Sequence, residues 1–314
     1  MSMRSPKSVL AILLLALGVG VGTFGLAQLH REEPDALTLA PERTALIVEV
    51  NVAALKRRPW VARHASESRA LQRLQEDCRG GLEGIEALRG YVLLDEREQL
   101  HDLVVSAHGM LDLEALTQCV AQANEGMGSA LHETELEGVR ALASDQGSSV
   151  AVPLGEHGVM TGPATAVASS LRQLGGAREA IPTVWRPLWT ALRSRRDIRV
   201  VGTLPEGWRS FFGQRPRGDA HRPEHLALGV SLAQGLDAEA SLIMPSPEDA
   251  LGVQHDIEEQ LTAWRERRDL MQSALRPALI GCETRTEDTR VMLSLRLSET
   301  ETVDALLLLR TLLE

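Results

Sequence analysis

One short segment of the chain carries three side chains of the types that ligate metal ions. Asp219, His221 and His225 lie within seven residues of one another, and a carboxylate with two imidazoles is a donor set that suits divalent metals. Pro216 and Pro223 prevent a helix from presenting the two histidines together. A metal centre would also need fixed geometry and supporting hydrogen bonds. We interpret the segment as a solvated loop and predict no metal and no other cofactor.

The remaining candidate chemistry is sparse. The sequence has no Gly-x-Ser-x-Gly turn for a nucleophile and no Gly-x-x-x-x-Gly-Lys loop for phosphates. Residues 20–25 fit the dinucleotide pattern Gly-x-Gly-x-x-Gly, but that pattern has meaning only between a strand and a helix. Adjacent carboxylates such as Glu258 and Glu259 point apart. The lack of a recognisable catalytic motif in the sequence predicts a protein that is not an enzyme. An enzyme whose active site is assembled only by the fold is the third hypothesis.

The three cysteines allow two interpretations. Cys78 and Cys119 fall in the first half of the chain and could form a disulfide in an oxidising compartment. Alternatively, both of them and Cys282 are small buried apolar residues. Their spacing matches no zinc pattern.

An apolar run near the amino terminus constrains the biology most. Residues 9–29 contain no charged side chain, and about 20 apolar residues in a helix span a bilayer. Residues 1–30 are therefore predicted to form a transmembrane anchor, or an uncleaved signal. Gly18 and Gly22 form a small-xxx-small pair that would let two anchor helices pack closely. The alternative is signal cleavage near Ala27, which would release a soluble exported protein.

The orientation of the anchor follows from its short leading end. Arg4 and Lys7 precede the run, and a short basic end usually stays in the cytoplasm. We predict a single-pass protein of a bacterial inner membrane with its C-terminal body in the periplasm. Without these two residues, 31 basic and 43 acidic residues give the body a net charge of −12. An acidic body repels nucleic acid and anionic lipid. We therefore expect no nucleic-acid partner, and we expect contact with the lipid bilayer through residues 9–29.

The order of predicted elements suggests an α+β protein with two similar halves. A charged linker over residues 31–43 leads into a first half over 44–176 and a second over 177–314. Mostly antiparallel sheet with helices on one face is the architecture this order favours. The predicted strands cover residues 44–52, 91–94, 103–107, 139–143, 149–154, 158–161, 198–203, 226–232, 238–244, 284–286 and 291–297. The predicted helices cover residues 66–78, 112–124, 163–174, 183–193, 246–275 and 298–313.

One helix admits two interpretations. Trp185, Leu188, Trp189 and Leu192 share a face, as in a helix that lies on a membrane surface. A helix that faces the core shows the same spacing, and we favour that interpretation.

The first residues of the body resemble a segment of known proteins. Residues 39–55, LAPERTALIVEVNVAAL, follow the apolar run and resemble the opening of uncharacterised envelope proteins of deltaproteobacteria, of the myxobacterial kind. The resemblance implies an envelope location and an α+β body, and it brings no activity. Together with the anchor, it predicts a non-catalytic envelope protein whose periplasmic body binds or scaffolds an envelope protein partner. An exported ligand- or peptide-binding protein is the alternative.

Overall fold

The chain divides into two compact units, Met1–Thr183 and Val184–Glu314. The computed structural model describes residues 35–66, 84–95, 100–112, 115, 131–144, 149–155, 157–176, 181–192, 196–204 and 223–313. No helix within these ranges is both long and apolar enough to cross a membrane. The predicted anchor and its packing pair, Gly18 and Gly22, lie outside the described residues.

In its described part, the first unit contains an antiparallel sheet. Its strands are β1 (Thr44–Asn51), β2 (Ile85–Leu94), β3 (Leu100–Gly109), β4 (Leu131–Leu136), β5 (Val139–Ser144), β6 (Ser149–Pro153) and β7 (Gly158–Pro163). Their order across the sheet is β1-β2-β3-β7-β6-β5-β4. The β4–β5 turn consists of Glu137 with φ 51° and Gly138 with φ 76°. Two left-handed residues in succession make a type I′ turn, whose twist matches that of the strands it joins.

Three helices accompany this sheet among the described residues: α1 (Val52–Lys56), α2 (Pro59–Ser66) and α3 (Ala164–Leu174). Asn51 caps α1, because its Oδ1 accepts a hydrogen bond of 2.8 Å from Ala54 N. Helix α3 packs against β6 and β7. Residues 35–43 were predicted to belong to a linker. In the structure they contain turns, and the side chains of Leu37 and Leu39 are fully buried.

The described residues of the second unit also contain an antiparallel arrangement of strands. These are β8 (Ile198–Thr203), β9 (His225–Ser231), β10 (Leu236–Ile243), β11 (Glu283–Glu287) and β12 (Arg290–Leu297). Their order is β11-β12-β10-β9-β8 within the described residues. Its helices are α4 (Trp185–Ala191), α5 (Pro247–Glu266), α6 (Arg268–Met271), α7 (Arg276–Gly281) and α8 (Glu299–Leu313). The α+β class with mostly antiparallel sheet is therefore confirmed.

The prediction that helices cover one face of the sheet is wrong for the second unit. Trp189 of α4 stacks on Arg199 of β8, with the guanidinium 4.1 Å from the ring centroid. Leu242 of β10 packs with Val253 of α5. Leu242 lies opposite Leu226 of β9, and Leu226 lies opposite Gly202 of β8, so these three positions share one face of the sheet. Positions 199 and 202 of one strand point to opposite faces, so α4 and α5 lie on opposite sides. Val200 and Val201 of β8 point to opposite faces and are both buried, so the sequence of this strand does not mark a single core face.

The long helix predicted over residues 246–275 is also shorter than expected. Ser246 caps its start, since its Oγ accepts a hydrogen bond of 3.1 Å from Asp249 N. Helix α5 ends at Glu266, and Arg267 has an extended backbone with ψ 113°. The segment predicted as one helix is divided between α5 and α6, and α7 begins directly after it.

Candidate functional site

The first unit contains a buried group of polar side chains on three neighbouring strands. We call it the polar cluster; its members are Glu49 of β1, Arg89 and Tyr91 of β2, and Ser106 and His108 of β3. Glu49 lies opposite Arg89, and Arg89 lies opposite Ser106, in the strand register. Residues two apart on a strand share a face. The antiparallel pairing therefore brings all five side chains to one side of the sheet.

Four of the five members of the polar cluster bond to one another. Arg89 Nε donates to Glu49 Oε2 at 2.8 Å, in an ion pair whose side chains are 6% and 12% exposed. Arg89 Nη1 lies 3.4 Å from His108 Nε2, which lies 3.1 Å from Ser106 Oγ. A guanidinium can only donate, so His108 Nε2 is an acceptor and the imidazole is neutral.

Burial dominates the electrostatics of the polar cluster. Loss of hydration, and secondly the charge of Arg89, lower the pKa of His108 to about 4, while Glu49 acts in the opposite direction. Burial raises the pKa of Tyr91 far above its ordinary value, although Arg89 and the Ser106 hydroxyl oppose this. The Tyr91 hydroxyl forms no well-oriented hydrogen bond with described residues. At neutral pH the cluster thus holds one internal ion pair, a neutral histidine and a neutral phenol.

The neighbouring strand closes around the histidine. Gly158 of β7 lies opposite His108, and a Cβ at this glycine would lie 3.0 Å from His108 Nδ1. Ser106 and His108 are 0% and 2% exposed. A serine beside a histidine resembles a nucleophile and its base, but neither side chain has access to solvent. We therefore assign the polar cluster a structural role, in which buried charges are paired to offset their desolvation.

Of the three candidate metal ligands, only His225 falls among the described residues; Asp219 and His221 lie outside them. His225 begins β9, and its Nδ1 accepts a hydrogen bond of 3.3 Å from Trp185 Nε1. The same nitrogen lies 3.1 Å from Thr203 Oγ1. Through its Nδ1, the His225 imidazole therefore connects Trp185 of α4 to Thr203 of β8. Among the described residues, no group of three or more His, Cys, Asp or Glu side chains is placed to hold a metal ion.

The predicted disulfide between Cys78 and Cys119 lies outside the described residues and stays a prediction. Cys282, the one cysteine within them, is a free thiol that is partly exposed. Burial, opposed by the charge of Arg265, raises the pKa of the Cys282 thiol. A thiol with a raised pKa is a poor nucleophile at neutral pH.

An acidic surface groove runs along helix α5. It is lined by His255, Glu258, Glu259, Thr262, Ala263 and Glu266. Glu258 Oε1 accepts hydrogen bonds from Gln254 Nε2 at 2.7 Å and Thr284 Oγ1 at 2.9 Å, and these bonds lower the pKa of Glu258. The contacts hold the helix against β11. The adjacent Glu258 and Glu259, which the sequence offered as a carboxylate pair, both lie on this open surface.

The polar cluster was not predicted from the sequence. Its only sequence signal is polar residues two positions apart within apolar strands, such as Arg89 and Tyr91 or Ser106 and His108. That signal is also typical of a strand with one solvated face. The identity of the partners depends on strand pairing across 40 residues between Glu49 and Arg89. Pairing at such a distance is not readable from one sequence.

The folds of both units define an α+β protein built on antiparallel sheet. No family model and no curated protein matches the chain. Solved structures of the protein TP0453 share the fold. Crystal form III aligns with a TM-score of 0.53 and 12% identity over 88% of this chain and 98% of that one. Crystal form I aligns with a TM-score of 0.51 and 11% identity over 88% and 97%. At these identities the likeness establishes the shared fold.

Proposed function

We propose that the protein is a non-catalytic module of a bacterial cell envelope, tethered to the inner membrane by residues 9–29, whose periplasmic body binds or scaffolds another envelope protein. The observation that carries the proposal is the uncharged apolar run followed by an acidic folded body. Such a chain is held at the membrane while its body faces an aqueous compartment.

The contacts within the body support a binding role over a catalytic one. In the first unit the fold brings Glu49, Arg89, Ser106 and His108 together as side chains that are bonded to one another and largely shielded from solvent. Catalysis requires groups within hydrogen-bond reach of a substrate, whereas a scaffold needs rigid units with accessible edges. The polar cluster provides rigidity, since breaking a buried ion pair is strongly unfavourable.

Membrane partition tests the tether. The full-length chain should sediment with membranes after a high-salt wash and dissolve in detergent, whereas a variant without residues 1–30 should stay in the supernatant. Protease added to spheroplasts should degrade the body. Full-length, unprocessed protein in a detergent-free supernatant would refute the tether, and protection of the body would refute the orientation.

The alternative of a cleaved, exported protein is separated by mass. Gly25, Leu26 and Ala27 resemble a small-x-small cleavage site. Cleavage after Ala27 would yield a shorter chain in the soluble periplasmic fraction, while the proposal predicts an intact chain in the membrane fraction. Crosslinking in membranes, followed by purification of the full-length chain, should then return specific partner proteins. Recovery of the chain without any partner would contradict the scaffolding role.

A further inference from the structure

Strand β4 lies at the end of the sheet of the first unit. Its six residues pair without interruption with β5, from Leu131 opposite Ser144 to Leu136 opposite Val139. Among the described residues no strand pairs with its outer edge. The strand contains no proline and its pairing no bulge, which are common devices for closing such an edge. Residues 132–135 are exposed.

The turn geometry fixes which backbone groups point outward. In a two-residue type I′ hairpin the residues that flank the turn form a hydrogen-bonded pair, here Leu136 and Val139. Hydrogen-bonded and non-hydrogen-bonded pairs then alternate along the ladder. The N–H and C=O groups of His132, Thr134 and Leu136 therefore face β5. The corresponding groups of Leu131, Glu133 and Glu135 face outward and can pair with another strand.

Two of the three outward positions, Glu133 and Glu135, carry acidic side chains. Glu133 and Glu135 share one face of β4. Glu133 pairs with Arg140 of β5, whereas Glu135 forms no ion pair with the described residues. At the turn, Arg172 Nη1 of α3 donates to Glu137 Oε1 at 2.6 Å, which holds the hairpin against the unit. The edge is thus anchored, regular and negatively charged.

We propose that the outer edge of β4 receives an extended segment of a partner protein with lysine or arginine at alternate positions. This inference rests on the proposed binding function and names its surface. An added strand bonds through its backbone and is selected through alternate side chains. Opposite charges on directly facing residues favour pairing, and like charges oppose it. A second copy of this chain, paired antiparallel through β4, would place Glu133 and Glu135 against the same residues of its partner strand. The acidic edge therefore disfavours self-pairing and suits a basic strand.

The register makes the proposal specific at the level of single amides. We take the added strand to run antiparallel to β4, as β5 does. In that orientation a partner residue directly opposite Glu133 or Glu135 uses its own N–H and C=O to bond to β4. Basic side chains opposite these glutamates therefore belong to residues whose amides face β4. In an eight-residue peptide of alternating lysine and threonine, methylation of the lysine amides should abolish binding. Methylation of the threonine amides, which point away from β4, should leave binding nearly unchanged.

The experiment measures binding of this labelled peptide to the full-length protein in detergent, by fluorescence anisotropy at low salt. A peptide of alternating glutamate and threonine should bind about tenfold more weakly or worse, because its charges repel those of β4. Equal binding of both peptides, or of both methylated lysine peptides, would overturn the proposal. No binding of the lysine peptide would overturn it as well.

Two variants separate the backbone from the charge. Glu135→Gln removes the carboxylate and keeps the outward N–H, whereas Glu135→Pro removes both, at an edge position that tolerates proline. The proline variant should bind the lysine peptide about fivefold more weakly than the glutamine variant, as expected for one lost hydrogen bond. Equal affinities would mean that charge alone holds the peptide. Circular dichroism should confirm that both variants are folded.

Two further outcomes would exclude this occupant. A wild-type chain that dimerises at micromolar concentration while Glu135→Pro stays monomeric would assign the edge to a second copy. Envelope partners that crosslink to wild type and equally to Glu135→Pro would refute the edge inference and leave the proposed function standing. Absence of partners with the wild-type chain would refute the proposed function itself.

Discussion

Arg89 and His108 lie on adjacent strands of the first unit with Nη1 and Nε2 3.4 Å apart. The guanidinium occupies the position from which a proton would reach this nitrogen. Protonating His108 would place two positive charges side by side in the interior, with the Glu49 carboxylate as their common counter-ion. The contact therefore requires a neutral imidazole, and it links the stability of the first unit to pH.

The first prediction is a loss of stability in weak acid. His108 has a pKa of about 4 in the fold against an ordinary value near 6.5, so the unfolded chain binds more protons between these values. The free energy of unfolding should then fall as pH is lowered from about 6.5 to about 4, by about 3 kcal/mol from this residue. Urea unfolding at several pH values measures the slope.

The control for this prediction is a pair of glutamine variants. His108→Gln keeps an acceptor for Arg89 but does not titrate, so it should flatten the pH dependence in this window. His101 is exposed, with its side chain 67% accessible, and His101→Gln should leave the slope unchanged. An equal slope in the wild type and in His108→Gln would show that other groups cause the acid sensitivity.

The second prediction concerns the buried ion pair between Glu49 and Arg89. Glu49→Gln leaves the guanidinium without its counter-ion and should lower the free energy of unfolding by about 3 kcal/mol or more. The double variant Glu49→Leu/Arg89→Met removes both charges and should recover most of this loss. Denaturant unfolding measures both. Arg140→Met breaks an exposed pair and should cost less than about 1 kcal/mol. A double variant as unstable as Glu49→Gln would contradict the prediction.

Local signals in the sequence predicted much of the second unit. Strand β8 has the predicted bounds, Ile198–Thr203. The helices predicted to begin at Ser246 and Ser298 are capped by these residues: Asp249 N donates to Ser246 Oγ, and Ser298 N donates to Glu301 Oε2 at 2.8 Å. These features depend on residues within four positions of one another, so a single sequence specifies them.

The features that were missed depend on distant contacts. Helix α5 stops at Glu266 because Arg267 adopts an extended backbone, and Arg265 Nε donates to Leu279 O at 2.8 Å where α7 folds back. The apolar spacing continues past this break, so the period does not reveal it. Likewise, Glu49 of β1 and His108 of β3 belong to one cluster only because β2 pairs with both of their strands. Helix propensity and alternation carry no information on which strands become neighbours.

The third prediction compares two glycines with positive φ. Gly235 has φ 109°, and a Cβ there would lie 2.1 Å from Leu297 O; Gly138 has φ 76° and open space around a Cβ. Gly138→Ala should cost about 1 kcal/mol from backbone strain alone. Gly235→Ala adds a clash with backbone and should cost about 3 kcal/mol or more. Thermal unfolding compares them, and equal losses would mean that the β9–β10 turn relaxes freely.

The fourth prediction tests whether α4 faces the core of the second unit. Trp185 and Trp189 are 0% and 1% exposed, whereas Trp264 of α5 is 40% exposed. Trp189→Ala removes a buried ring and its contact with Arg199, and should lower the free energy of unfolding by about 3 to 5 kcal/mol. Trp264→Ala should cost clearly less, because its ring is partly hydrated in the fold. If α4 instead lay on a membrane, Trp189→Ala would weaken binding to phosphatidylglycerol vesicles by a chain lacking residues 1–30. Its unfolding in solution would then be unchanged, and that pair of results would contradict the core assignment.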